Sequence, residues 1–495
     1  MNIYTRKGRT SILIAVFSFF CLVYCAESLI NHYLYRTFAL DLGMFNQALY
    51  SISHGLQPLF TLDTKGTETH FLATHFSPIT FLFAPLYYLF GSYTLLIVQI
   101  TFILMGGLGI YKIAQLKLAH LSPALWLLAP AHFFCCWGIY SALAFDFHNN
   151  VIGAMIAPWF IYFFCKRNKK LMLITAILMA MCQETMPLWL IFILAALMLD
   201  NAKTLGWKNY LKFELPLIAG FIIYALIIIQ LVMPALQGAE HNLQLSRYTH
   251  LGSSASEIVA HILSHPIDSV KMLFVNTIDD PAFDYIKAEL HIMVLLSGGI
   301  FLLTRPAYLL MLVPIYAQKL LANDFGFWGI NVQYSIELIP VICIGTILFL
   351  SKLRKGYTVP VAVITLCVTL AATISTIDHR KSKWYNAANN RFYGKDHFKS
   401  GFDNLAEVNQ VLKSVPDALP VVTSSRLAAH IANRQRLYHF PNIKMDARYI
   451  VLDKSGDYSY PLSKEDYLQQ IELLRANPNW IIATETTDLI IFKKK

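Results

Sequence analysis

Long apolar runs are the feature that most limits what this chain can fold into. Several of them approach or exceed the ~20 residues that an α-helix needs to cross a bilayer. Of the 495 residues, 56% are hydrophobic and only 14% are charged. The first run, at 11–30, follows a basic start but lacks a small-residue cleavage site, so it is interpreted as a retained helix. The sequence predicts an all-α polytopic membrane bundle.

Charge and cysteine content exclude two other classes of protein. The net charge is +10, but the basic residues form short groups between apolar runs, which is typical of cytoplasmic loops facing anionic membrane lipid rather than of nucleic acid binding. The eight cysteines lie in or beside apolar runs and lack the paired spacing of a disulfide framework or a zinc site. We interpret them as small core residues.

Short basic loops predict how the chain is threaded through the membrane. Lysine and arginine favour the cytoplasmic side, which places the N-terminus and five loops there: Arg6–Arg9, Lys112–Lys117, Lys166–Lys170, Lys203–Lys212 and Lys352–Lys355. Satisfying all five takes about eleven transmembrane helices, at about 11–30, 93–111, 121–141, 149–165, 171–183, 187–199, 213–233, 290–304, 306–321, 332–351 and 357–376. The run at 77–90 is too short to span and is predicted to be re-entrant or interfacial.

The residues after Thr376 have a different character. They alternate short apolar runs with amphipathic ones, which predicts strands near Val421, Ile450, Ile481 and Ile490 and helices at about 405–412, 427–432 and 464–475. We therefore expect a transmembrane domain at 1–376, with a first outer loop at 31–92, and a small soluble α/β domain at 377–495. An odd number of spans places this second domain outside the cytoplasm.

Three carboxylates fall on the predicted outer face. Asp41 follows the first span, Asp146 lies between the third and fourth, and Glu184 interrupts the run that the "QETMP" segment divides. The first outer loop adds Asp63, Glu68, His70 and His75. Acids at membrane level are expensive, so this grouping indicates a polar site, although helix capping and structural ion pairs would also explain single members.

The stretch "DLGMFNQALYSISHG" resembles the first-loop motif of the polytopic GT-C glycosyltransferases. On that motif Asp41 takes the catalytic acidic position, Phe45 the aromatic one and Gly55 the terminal glycine. The stretch "FDFHNNVIGAMIAPWFIYFF" resembles the second outer-loop acid of the same superfamily, at Asp146. Glu184 stands where those enzymes have a polar interruption.

Further segments resemble an uncharacterised bacterial family, domain of unknown function 2079. They are "LDLGMFNQALYSISHG", "THFSPITFLFAPLYYLFG", "CQETMPLWL", "NVQYSIELIPVI" and "SSRLAAHIANRQRLYHFP", and they run from about residue 40 to residue 441. The chain is identified as a member of this family on these segments. Membership names no substrate.

The GT-C resemblance implies an enzyme of the bacterial inner membrane. It would move a sugar from a polyprenyl-phosphate carrier to an envelope glycan, lipid or protein, with Asp41 as general base and Asp146 and Glu184 as further catalytic acids. The candidates for binding the substrate or its leaving phosphate are Asn46, Gln47, His70, His75, His148, Gln183, Arg247 and Arg391. A divalent metal ion held by Asp41, Asp146 and a histidine is possible but not required.

Two other functions stay open at this point. Intramembrane acids and prolines such as Pro158 and Pro187 also mark transporters, and a scaffold without catalytic activity would serve envelope assembly. Near the C-terminus, the stretch "VVTSSRLAAHIANRQRLYHFP" predicts a strand, a short loop with Ser424 and Ser425, and a helix carrying Arg426 and His430. The hydroxyls and backbone N–H groups at the N-terminus of this helix suit an anion. A simple helix cap explains the same residues.

Overall fold

The computed structural model describes residues 5–237, 245–378 and 386–495. It forms two compact units, each made of two chain segments. The helical unit comprises Met1–Cys25 and Gln99–Arg391, and the mixed unit comprises Ala26–Val98 and Phe392–Lys495. The first loop is therefore grouped with the C-terminal segment. Part of the polar stretch that follows Thr376 lies outside the described residues.

Helices make up most of the described chain. The α-helices are Arg6–Tyr33, Met44–Ser53, Phe71–Thr74, Ala84–Phe90, Thr94–Lys117, Ala124–Phe134, Trp137–Leu143, Asn149–Cys165, Lys169–Ala180, Met186–Leu205, Glu214–Ile227, Met233–Gln237, Ala255–Ser264, Pro266–Met272, Ile286–Leu296, Val313–Leu320, Phe325–Trp328, Leu338–Leu350, Lys355–Asp378, Ala387–Asn390, Leu405–Lys413, Ser425–Ala428 and Lys464–Ala476. Shorter 3₁₀ segments are Pro78–Phe83, Gly91–Tyr93, Trp207–Asn209, Leu245–Tyr248, Pro281–Phe283, Gly299–Thr304, Pro306–Leu312, Gln333–Ser335 and Lys395–Phe398. Two π-type turns are Ala39–Gly43 and Ile228–Val232.

Fewer helices are long enough to span a bilayer than the sequence predicts. Among the described residues, six are long and apolar enough: Arg6–Tyr33, Pro78–Lys117, Met186–Leu205, Glu214–Gln237, Gln333–Leu350 and Lys355–Ile377. A pair bent by 44°, Ala124–Phe134 with Trp137–Leu143, brings the number to seven when it is counted as one span. The predicted count of about eleven is not confirmed.

Broken helices explain part of the difference. The spans predicted at 290–304 and 306–321 appear as Ile286–Leu296 and Val313–Leu320, joined by 3₁₀ segments. Gly298 takes a φ of +98° in the connection, and the prolines at 306 and 314 remove backbone donors from the same stretch. The predicted break before Met186 is present, since Lys169–Ala180 and Met186–Leu205 are separate helices.

The mixed unit contains a five-stranded sheet. In chain order, β1 (Leu59–Phe60) and β2 (Thr69–His70) form a small ribbon in the first loop. The larger sheet has the order β4-β3-β5-β7-β6, built from the strands β3 (Val421–Thr423), β4 (Leu437–His439), β5 (Tyr449–Asp453), β6 (Trp480–Glu485) and β7 (Leu489–Lys494). Strands β4, β3 and β5 are parallel, while β7 is antiparallel to both β5 and β6.

Alternating strand residues give this sheet two apolar faces. On one face, Val422, Ile450 and Phe492 pack with residues of helix Lys464–Ala476. On the other face, the core includes strand residues, helix Leu405–Lys413 and three residues of the first loop, Tyr35, Ala39 and Leu62. The first loop therefore helps to close the sheet, a role that the sequence did not predict.

The predicted α/β character of the C-terminal region is confirmed, with two local differences. Strand β4 was not predicted, because its three residues in "RLYHFP" are too few to show an alternation of apolar and polar side chains. They form a strand through parallel pairing with β3. The helix predicted at 427–432 ends at Ala428 and begins two residues earlier. A segment this short is fixed by its neighbours more than by its own propensity.

Labelling of single cysteines tests the predicted orientation of the chain. The number of spans is odd, like the predicted eleven, when the bent pair is counted as one span. The predicted cytoplasmic N-terminus then places the residues after 386 outside. In a protein whose native cysteines are replaced, we expect an impermeant maleimide to label Met445→Cys in intact spheroplasts, because Met445 is 93% exposed. Lys170→Cys should react only after permeabilisation. The reverse pattern would overturn the orientation.

Candidate active site

Asp41 lies in a short turn, Ala39–Gly43, between the first long helix and helix Met44–Ser53. Its φ is +71° and its ψ is −99°, and neither Asp41 nor Leu40 has helical backbone angles. A non-glycine residue with this backbone is strained by about 1–3 kcal/mol and persists only where its surroundings fix it. Such strain concentrates at functional sites, so the turn itself points to Asp41.

Two hydrogen bonds and close packing at Gly43 fix the Asp41 turn. The Gly43 amide donates to the Phe38 carbonyl at 2.9 Å, which closes the turn. The Ala39 amide donates to the Ser425 hydroxyl at 3.3 Å. A Cβ at Gly43 would meet Leu62 Cδ1 and the Phe38 carbonyl, both at 3.1 Å, so a larger residue would have to displace these neighbours by a few tenths of an ångström. Asp41 itself is only half-buried, which leaves it accessible to a substrate.

Two buried side-chain amides hold the helix Met44–Ser53 in position after the turn. Asn46 Nδ2 donates to the Ser92 carbonyl at 3.1 Å and to the Ala429 carbonyl at 3.2 Å. Gln47 Nε2 donates to the Gln435 carbonyl at 2.9 Å. Both side chains are fully buried. These bonds give Asn46 and Gln47 a structural role, and their predicted contact with substrate stays untested.

Asp146 occupies a second turn with similar strain, in the helical unit. Its φ is +48°, and its side chain is largely buried. The Gln99 side chain brackets the turn, because Gln99 Nε2 donates to the Asp146 carbonyl at 3.0 Å and Gln99 Oε1 accepts from the His148 amide at 3.0 Å. The His148 ring stacks on Phe145.

Both acids that the GT-C motif singles out therefore have left-handed backbone. Non-glycine residues with positive φ are uncommon, and the described chain contains six: Tyr35, Asp41, Asp146, Arg167, Tyr285 and Val332. The backbone thus marks Asp41 and Asp146 independently of the motif. It does not assign their chemical roles, which remain predictions.

The other predicted residues divide between the two units. The mixed unit holds Asp41, Asn46, Gln47, His70 and His75, and the helical unit holds Asp146, His148, Gln183, Glu184, Arg247 and Arg391. Glu184 is 9% exposed and lies in the break before Met186, as predicted. His70 caps helix Phe71–Thr74, since its Nδ1 accepts from the Leu72 amide at 3.2 Å, and burial lowers its pKa.

Arg247 is a weaker phosphate candidate than its sequence position indicated. Its Nε lies 3.4 Å from Asp324 Oδ2, and its guanidinium sits over the Phe327 ring at 4.4 Å. An arginine whose charge is already compensated has less to gain from an added anion. The substrate-binding roles of Gln183, His75 and Arg391 stay predictions.

Sequence reasoning missed a buried polar group in the helical unit. Asn150 Nδ2 donates to Glu337 Oε1 at 2.9 Å. Lys319 is 2% exposed and its ammonium donates to the carbonyls of Phe327 and Gly329 at 2.6 and 2.5 Å. The signal was present, because an ionisable residue inside an apolar run such as "YSIELIPVI" is by itself a functional candidate.

The anion site expected at the start of the Ser424 helix is not supported. The helix Ser425–Ala428 has only four residues, and the Ser424 side chain makes no capping hydrogen bond. The Ser424 hydroxyl instead accepts from the Asp453 amide at 3.4 Å. His430, also in this segment, stacks on Tyr35 at 3.8 Å.

A metal-binding geometry occurs away from the predicted acids. Among the described residues, one group of three candidate ligands comes together, His132, Cys136 and Cys343, with ligand atoms within 4.8 Å of one another. His132 Nε2 is 3.0 Å from the Ser297 carbonyl, so one ring nitrogen already has a partner. Neither Asp41 nor Asp146 belongs to this group. A divalent ion at those acids stays an untested expectation.

The fold and the apolar helices define a polytopic membrane protein with a GT-C-like architecture and a small α/β region. Residues 31–491 match the family described as "Predicted membrane protein (DUF2079)", and the chain belongs to that family. This confirms the family expected from the sequence segments. No curated protein matches the sequence.

Two solved structures of one protein, ArnT, share the fold of this chain. The chain is similar to ArnT from Cupriavidus metallidurans bound to undecaprenyl phosphate, with a TM-score of 0.55, 10% identity and coverage of 99% of this chain and 98% of ArnT. For ArnT in the apo state, the TM-score is 0.51 and the identity is 11%, with 98% of each chain covered. For the apo oligosaccharyltransferase of Archaeoglobus fulgidus, the TM-score is 0.44 and the identity is 11%. The match covers 90% of this chain and 70% of the oligosaccharyltransferase. The ArnT likeness establishes the fold, and the predicted GT-C-like fold class is confirmed.

The mixed unit should lose stability in mild acid because it buries neutral histidine. His439, in strand β4, is fully buried, and burial lowers its pKa to about 4. The unfolded chain therefore binds a proton from about pH 6.5 downwards while the folded chain does not. We expect unfolding free energy to fall by about 1.4 kcal/mol per pH unit between pH 6.5 and 4 through this residue.

Thermal unfolding of the purified protein across this pH range measures the effect. His439→Leu should reduce the slope by the share of this one histidine, because burial also lowers the pKa of His430 in the same unit. His54→Gln, at an exposed histidine of the unit, should leave the slope unchanged. An unaltered slope in His439→Leu would mean that His439 does not titrate on unfolding.

Proposed function

We propose that this protein is a membrane glycosyltransferase. It would transfer a sugar from a polyprenyl-phosphate carrier to an envelope glycan, lipid or protein at the outer face of the bacterial inner membrane. The observation that carries the proposal is Asp41, the catalytic position of the GT-C motif, held in a strained and accessible turn. Support comes from the fold likeness to ArnT, which spans nearly the whole of both chains and includes a structure with undecaprenyl phosphate bound.

The proposed reaction is a single displacement at the anomeric carbon. Asp41 removes the proton of the acceptor hydroxyl while the hydroxyl oxygen forms its bond to the anomeric carbon. The bond from that carbon to the carrier phosphate oxygen breaks, and the phosphate leaves with the electron pair. One displacement inverts the anomeric configuration.

The strained backbone suits such a general base. A catalytic group has to be held in a fixed position relative to the reacting atoms, since small displacements reduce the rate strongly. The buried Ala39 and Gly43 on either side fix the turn, while the half-buried Asp41 remains accessible. Asp146 and Glu184, in the helical unit, remain predicted catalytic acids with roles not assigned.

Substitution of Asp41 separates a chemical role from a structural one. Asp41→Asn keeps the size of the side chain but removes the base, and Asp41→Gly removes the side chain while relieving the positive φ. We expect both to fold, with Asp41→Gly at least as stable as the wild type. Loss of a general base lowers rates by about a hundred- to ten-thousand-fold, so transfer should fall below detection in both.

The measurement is envelope glycan composition, by mass spectrometry, in a deletion strain that carries each variant at wild-type protein level. Asp403→Asn serves as the matched control, because Asp403 is an exposed carboxylate of the same unit. It should restore the wild-type pattern. Full restoration by Asp41→Gly would rule out a chemical role for Asp41.

A further inference from the structure

Three arginines of the mixed unit are almost completely removed from solvent. Arg36, Arg426 and Arg434 are 6%, 1% and 2% exposed. A guanidinium cannot lose its proton under ordinary conditions, so a buried one needs acceptors for its N–H groups or a counter-charge. The three residues allow a comparison within one unit.

Two of these arginines are supplied with acceptors. Arg36 donates to the carbonyls of His397 and Lys399 at 2.8 and 2.6 Å. Arg434 donates to the Pro416 carbonyl at 2.9 Å. Backbone oxygens therefore replace the lost water at both positions, and both are explained by the fold alone.

Arg426 is different. No residue that the structure describes accepts a hydrogen bond from its guanidinium or lies within ion-pair distance, and its buried Nε has no partner. The guanidinium instead lies between two rings, 3.9 Å from the centre of Phe402 and 5.0 Å from that of Tyr458. Each such contact is worth about 0.5–2 kcal/mol, less than the several kcal/mol that burying an ion costs.

Two buried carboxylates of the unit, Asp453 and Asp488, are engaged elsewhere. Asp453 accepts from the Ser455 hydroxyl at 2.8 Å, and Asp488 accepts from the amides of Asp403 and Asn404 at 2.9 and 2.8 Å. The positive charge around Arg426 is reinforced by a second cation. Burial lowers the pKa of Arg36, and the charge of Arg426 lowers it further.

We propose that Arg426 binds an oxyanion carried by the substrate, a phosphate or a carboxylate, which completes its hydrogen bonding. A planar guanidinium with unused N–H groups matches both anions through paired hydrogen bonds. The assignment rests on the proposed glycosyl transfer, because it identifies the ligand with a substrate of the Asp41 reaction.

The position of Arg426 connects it to the Asp41 turn. Its neighbour Ser425 accepts from the Ala39 amide. The ring of Tyr458, on one side of the guanidinium, lies 5.1 Å from the ring of Phe38, the residue whose carbonyl closes the turn. Phe38 and Tyr458 are half-exposed, so a ligand at the turn has apolar ring faces leading towards the cation.

The first test compares the stability of two variants without any ligand. Methionine keeps most of the packing of an arginine stem and removes the charge. Arg426→Met is expected to melt at or above the wild-type temperature, because an unsatisfied charge is removed. Arg434→Met should melt several degrees lower, because it leaves buried carbonyls without donors. Equal destabilisation by the two changes would show that Arg426 is satisfied by the fold and would overturn the proposal.

The second test measures anion binding to the full-length purified protein. Undecaprenyl phosphate, inorganic phosphate and glucuronate are titrated separately, with the shift in melting temperature as readout. If only the two phosphate probes raise the melting temperature, the bound group is the carrier phosphate. If only glucuronate raises it, the bound group is the carboxylate of an acidic sugar. We expect Arg426→Met to raise the half-saturating concentration by about 10- to 100-fold, the loss typical of a hydrogen bond to a charged group.

Two controls separate this site from the proposed catalysis. Arg436→Met, at a half-exposed arginine paired with Asp446, should bind as the wild type does. Asp41→Asn should lose transfer but keep anion binding. If Asp41→Asn keeps both, the proposed base is wrong and the anion site stands. If none of the three probes stabilises the wild type, or if Arg436→Met loses binding equally, the anion site is wrong.

Discussion

The strained backbone of Asp41 is held in place by contacts from distant parts of the mixed unit. A left-handed aspartate between two helices persists only when neighbouring contacts outweigh its strain. Here the contacts come from the Ser425 hydroxyl, from Leu62 and from the close approach at Gly43. The C-terminal segment is therefore part of what shapes the first loop, although almost four hundred residues separate Asp41 from Ser425 in the chain.

The same dependence explains why the unit is assembled from two distant segments. Tyr35, Ala39 and Leu62 of the first loop complete one apolar face of the C-terminal sheet, while Asn46 and Gln47 bind carbonyls at residues 429 and 435. Apolar burial supplies the driving force, and the amide bonds fix the register. A change in the C-terminal domain can thus alter the geometry of Asp41 without touching it.

Buried charge is distributed unevenly in this scaffold. Arg36 and Arg434 are satisfied by backbone carbonyls, as a purely structural arginine requires. Arg426 is held by aromatic rings instead, and Lys319 of the helical unit donates to carbonyls within a group that also holds Asn150 and Glu337. Of these four buried cations, Arg426 alone has no acceptor among the described residues, so its burial points to a role beyond folding.

The sequence alone determined the membrane class, the family and the strands near Val421, Ile450, Ile481 and Ile490, because apolar run length, alternation and local motifs are encoded in neighbouring residues. It also singled out Asp41 and Asp146, whose catalytic roles stay predictions. Its count of about eleven spans is not confirmed, since Gly298 and the prolines at 306 and 314 are compatible with either broken or continuous helices until packing is known. Strand β4, the scaffold role of Asn46 and Gln47, and the unsatisfied Arg426 were decided only by the tertiary structure. Each depends on contacts between residues far apart in the chain, and no local pattern records which acceptor, ring or strand a side chain will meet.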